Sequence, residues 1–109
     1  MELDFFFTLR ADDDKTKQIV ESFVEELSAK YRGIFSHSSW LGTYPLSYQV
    51  SAIANLDVND PDEGERALEA QVGQILRLHD PAGTLDWPPP DFAAIEPKLP
   101  PELLARDDQ

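Results

Sequence analysis

The sequence predicts an α+β fold: a two-layer sandwich in which two helices cover one face of an antiparallel sheet. Three observations lead there. Leu3, Phe5, Phe7 and Leu9 alternate with Glu2, Asp4, Thr8 and Arg10, the two-residue period of a strand. Two later stretches repeat apolar residues at helical spacing. Between them, positions 33 to 56 hold no charged residue and divide into two strand-like runs around Gly42-Thr43-Tyr44-Pro45.

Taken in order, the first strand ends at the acidic run Asp12-Asp13-Asp14, which offers N-caps and first-turn acids for a helix. Phe6 interrupts the polar side of that strand. It therefore belongs to a central strand covered on both faces, or it sits on an open sheet face; the covered arrangement is the expected one. Ile19, Val20, Phe23, Val24, Leu27 and Tyr31 form the first helical stripe, closed by Gly33 after Lys30 and Arg32. Ile34 to Leu41 and Leu46 to Val58 read as a hairpin. Asp60-Pro61 then starts a second helix, with a capping Asp, Pro at its first position and Glu63 placed to complete a capping box. Its buried stripe is Leu68, Val72, Ile75, Leu76 and His79, and Asp80-Pro81 ends it. A short fourth strand is expected from Thr84 to Trp87 at a sheet edge, because Pro88-Pro89-Pro90 follows. The β-α-β-β-α-(β) order is ferredoxin-like. It divides the chain into a single α/β domain over 1–87 and a proline-rich C-terminal strap over 88–109, with one helical turn near Glu102.

A chain of 109 residues suits one domain with one real core. Asp and Glu total 21 against 9 Lys and Arg, a net charge of −12. That charge opposes nucleic-acid phosphates and anionic membrane surfaces and favours a basic protein partner. The absence of cysteine removes disulfides and thiolate chemistry, and with no signal-like N-terminus or long apolar run a cytoplasmic setting is expected.

Catalytic equipment is not legible. His37 lies among Ser36, Ser38 and Ser39, but neighbours on a strand point to opposite faces, and no Gly-x-Ser-x-Gly elbow exists. His79 is placed to interact with a helix C-terminus. The run Asp57-Val58-Asn59-Asp60-Pro61-Asp62-Glu63 is rich in oxygen ligands. Yet Pro61 holds the fifth position, Asp62 stands where a calcium loop needs glycine, and Leu68 where it needs its bidentate acid. No catalytic residue, metal ligand or cofactor is assigned. Trp87-Pro88-Pro89-Pro90 reads first as a rigid exit loop and second as a polyproline ligand.

What remains is surface character. The uncharged stretch carries His37, Trp40, Tyr44 and Tyr48, the composition of an interface core, while Asp57, Asp60, Asp62 and Glu63 offer a charged rim. In size, acidity, fold pattern and lack of catalytic motifs over the whole chain, the protein resembles bacterial immunity proteins, which neutralise a cognate toxin by blocking its active site. Those whole-chain features carry the resemblance, rather than a motif. It implies a complex with a basic or cleft-bearing toxin domain, in which acidic side chains take a nuclease's phosphate site and Trp40 and Tyr44 anchor the contact. The alternative is a ferredoxin-like small-ligand-binding or regulatory module that dimerises through its sheet; a small enzyme using scattered acids ranks third.

Overall fold

The computed structural model describes residues 1–95; the expectations for 96–109, including the turn near Glu102, and the side chain of Trp40 fall outside the described residues. The elements are β1 (Glu2–Ala11), α1 (Asp14–Lys30), β2 (Arg32–Trp40), β3 (Thr43–Asn55), α2 (Pro61–His79) and β4 (Ala93–Ile95). The sheet order is β2-β3-β1-β4. Every neighbouring pair is antiparallel. It follows that β1 and β2 run parallel with β3 between them, and each helix crosses one intervening strand. The two-layer α+β sandwich is thus present; its match to the ferredoxin-like pattern is inexact at the fourth strand, which is short and late.

Both helices start where the sequence places a cap. The Asp13 carboxylate accepts from the Thr16 N–H at 2.8 Å, and Asp60 plays the same part for α2, with Pro61 at the first helical position. The Thr16 hydrogen bonds hold the Asp13 carboxyl below its ordinary pKa.

The core lies between the helices and one sheet face. Leu3, Phe5, Phe7 and Leu9 of β1 and Leu46, Tyr48, Val50, Ala52 and Ala54 of β3 point into it, meeting Val20, Phe23 and Leu27 of α1 and Leu68, Val72 and Leu76 of α2. Glu26 Oε1 and His79 Nε2, 2.9 Å apart, tie the two helices together at the half-buried rim. His79 therefore has a side-chain partner on α1, which single-helix reasoning could not foresee.

Two expectations are corrected. Residues 84–87 form no strand. The Asp80 carboxylate accepts from the backbone N–H groups of Thr84 (2.8 Å) and Leu85 (2.7 Å), turning the chain instead of extending it. Trp87 then enters the core, edge-on to Phe7, Phe23 and Phe92. The fourth strand is Ala93–Ile95, pairing with β1 through Asp4↔Ile95, Phe5↔Ala94 and Phe6↔Ala93. Residues 88–95 are consequently built into the domain, with Pro89 buried. The second correction concerns Phe6: β1 is central, but among the described residues only one of its faces is covered, and Phe6, 45% exposed, lies on the other.

Candidate functional site

Register fixes what the open face presents. Antiparallel partners share a face. One cross-strand row is therefore Ile34, Ser51, Phe6 and Ala93, and the next is Arg32, Ile53, Asp4 and Ile95. Four of these are large, apolar and exposed: Phe6 at 45%, Ile34 at 72%, Ile53 at 39% and Ile95 at 55%. A shallow depression of about 210 Å³ lies between Phe6, Ile34, Gln49 and Ser51. Toward the hairpin tip the next row, Ser36, Gln49 and Thr8, is polar and uncharged, and the row beyond it carries Arg10 opposite Ser47.

The expected interface residues do not come together as one patch. Tyr44, at the start of β3, sits on the helix side; its hydroxyl donates to the Asp14 carboxylate at the start of α1. That bond pushes the Tyr44 pKa up to about 12. Trp40 ends β2 opposite Thr43. His37 also lies on the helix side, with its ring 5.6 Å from that of Tyr48. Asp57, Asp60, Asp62 and Glu63 lie beyond the far end of β3, in the connection to α2 and its first turn. The length of β3 separates Tyr44 from these acids, roughly 40 Å at ~3.3 Å per residue, and His37, opposite Tyr48, lies partway along it. Asp60 caps its helix and Asp62 and Glu63 occupy the first turn, which accounts for three of the four acids locally.

Sequence reasoning missed Ile34, Ile53 and Ile95 as surface residues. The signal for Ile53 was present, since it interrupts the polar side of its strand. Reading it required the knowledge that both helices lie on the other side of the sheet.

Two further recesses lie at the margins of the sheet. A 560 Å³ cleft lies where β1 ends and β3 begins, lined by Thr8, Arg10, Asp12, Pro45, Leu85 and Pro90. Its Arg10 guanidinium is engaged by Asp12 at 2.8 Å. A 350 Å³ groove runs between α1 and the outer edge of β2, lined by Glu21, Val24, Glu25, Ser28, Phe35 and His37 among others. Burial, and then the Glu21 charge, raise the pKa of Tyr48 at its floor.

Among the described residues, no group of three or more His, Asp or Glu side chains is arranged to hold a metal ion. No helix among them is long and apolar enough to cross a membrane. Comparison with protein-family models, with curated proteins and with solved structures finds no match in any of the three.

Proposed function

We propose that this chain is a non-catalytic protein-binding domain that acts by covering a partner's surface, in the manner of an immunity or inhibitor protein. The observation that supports this most directly is the sheet face on which Phe6, Ile34, Ile53 and Ile95 are exposed in adjacent cross-strand rows. Contiguous exposed apolar surface on a small protein is a recurrent mark of an interaction site. The net charge of −12 supports a basic partner, since it would steer such a partner to the domain and keep copies of the domain apart. The partner class favoured is a basic or cleft-bearing toxin domain.

The test is co-expression of the chain with the toxic C-terminal domain of any large protein encoded immediately upstream. Protection of the cells, lost in Phe6→Asp combined with Ile34→Asp but kept in Glu65→Gln, is the expected result. Protection unaffected by the double variant would overturn the sheet-face reading. Light scattering of the isolated chain separates the alternative: a dimer that the double variant dissociates would assign the face to a second copy.

A further inference from the structure

The sheet has two edges, and they are treated very differently. Edge strands expose unpaired N–H and C=O groups that can recruit another strand, so proteins usually shorten them, charge them or place proline in them. The β4 edge follows that practice. It is three residues long, and Pro88-Pro89-Pro90 precedes it by two residues. The β2 edge does not. It runs nine residues, carries no charge from Gly33 to Trp40 and contains no proline. Among the described residues it pairs with β3 alone. An irregularity between Ser38 and Trp40 disturbs only its far end.

Beside this edge lies the 350 Å³ groove under α1. Among the described residues, the charged side chains lining it are Glu21 and Glu25, one helical turn apart. A strand added outside β2 would place the side chains opposite Phe35 and His37 on their face, over the groove and within reach of these two acids. Its alternate side chains, opposite Ile34 and Ser36, would extend the open face next to the exposed Ile34. The chemistry of the site thus alternates along the missing strand: acid-lined on one side, apolar on the other.

From this we infer that the outer edge of β2 accepts an extended segment of a partner protein in which basic and apolar residues alternate, the basic ones entering the α1 groove. This inference rests on the reading of the chain as a protein-binding domain and adds to the sheet face the main-chain edge of β2 and the α1 groove beside it. Main-chain pairing would supply affinity and the groove specificity, as in other strand-addition complexes. A second copy is the poorer occupant. Pairing two β2 edges about a two-fold axis would bring the Glu21 and Glu25 sides of two chains together, each of net charge −12.

The test uses NMR titration of the isotope-labelled full chain with three synthetic octapeptides: alternating Lys-Val, alternating Glu-Val, and Lys-Val N-methylated at alternate residues so that one edge cannot pair. The expected result is saturable shift changes in β2 amides from Gly33 to Ser39 with Lys-Val. Binding should be at least tenfold weaker for the other two, and for Lys-Val with the Glu21→Gln, Glu25→Gln variant. No β2 response to Lys-Val at millimolar peptide, equal binding of all three peptides, or a β2-paired dimer of the free chain would overturn the inference. The Phe6→Asp, Ile53→Asp variant, which alters the open face on β1 and β3 and leaves β2 intact, separates the two proposals, with protection and the Lys-Val response both read on it. If it abolishes protection while Lys-Val leaves β2 unperturbed, the sheet face stands and the edge falls. Loss of the edge response alone in Glu21→Gln, Glu25→Gln, with protection unchanged, shows that the two surfaces act independently and sustains the edge.

Discussion

The indole of Trp87 rests on Gly73: a Cβ at that glycine would lie 2.9 Å from both Cδ1 and Nε1 of the ring. The same Nε1–H donates to the Glu69 carbonyl at 3.0 Å, one turn earlier on α2. A loop with no regular structure is thereby fastened to the helix layer. The ring also meets Phe7, Phe23 and Phe92 with centroids 5.1 to 6.2 Å away, so it can move aside only toward solvent.

Gly73→Ala sets two effects against each other. Alanine favours the helix by about 1 kcal/mol over glycine. Displacing a ring held on three sides costs about 1–3 kcal/mol, and losing its hydrogen bond about 1 kcal/mol more. Net destabilisation is expected, together with a red-shifted tryptophan emission as the indole is pushed toward water. A raised melting temperature would show that the loop yields freely.

Three consecutive phenylalanines on β1 provide an internal comparison. Phe5 and Phe7 are buried and Phe6 is 45% exposed on the open face. Urea denaturation should show Phe5→Ala and Phe7→Ala each losing about 3–5 kcal/mol through lost burial and cavity formation. Phe6→Ala should cost under about 1 kcal/mol. A comparable loss at Phe6 would mean that its face is covered in solution.

Asp80 is buried, and burial alone would raise its pKa. The N–H groups of Leu85 and Thr84 outweigh that and hold it below its ordinary value. A depressed carboxyl stabilises the fold fully above its unfolded pKa of about 3.9 and loses that contribution as pH falls through the folded value. Removing the acceptor in Asp80→Ala should cost about 1–3 kcal/mol at pH 7. The difference from wild type should shrink below pH 4; equal differences at pH 7 and pH 3 would exclude a role for the charge.

The Tyr44 hydroxyl is held by Asp14, with its pKa pushed up to about 12. A raised folded pKa means that this contact favours the fold below the unfolded value of about 10 and is lost as pH rises through 12. In Asp14→Asn, phenolate absorbance near 295 nm should develop for Tyr44 at lower pH than in wild type. An unchanged titration would show that the two groups are apart in solution.

Gly33 has no room for a side chain beside β3: a Cβ there would lie 2.3 Å from the Ser51 carbonyl oxygen and 2.5 Å from the Ala52 Cα. These are backbone atoms and cannot step aside. Gly33→Ala should therefore loosen β2 from the sheet, seen as faster amide exchange in residues 34–38 than in β1, and should also weaken the Lys-Val response at that edge. Unaltered exchange would place the strain elsewhere.

The sequence alone determined the elements whose causes are local. Period-two alternation from Leu3 to Leu9, the caps Asp13 and Asp60, and the stripes from Val20 to Leu27 and Leu68 to Leu76 all sit where the pattern places them, because each depends on neighbours within a turn or a strand. Only the tertiary structure decided the rest. Whether Phe6 is core or surface depends on what covers the second sheet face, which no residue near it records. Trp87 reads as a strand residue until Asp80 turns the chain and Gly73 opens a seat for it on α2. The hairpin read from 33–56 was correct, but its acids at 57–63 and its tip at 40–44 are held apart by the length of β3. Strand order, finally, leaves β2 as an edge strand among the described residues, because pairing between β1 and β3 is set by packing across the whole sheet rather than by either strand alone.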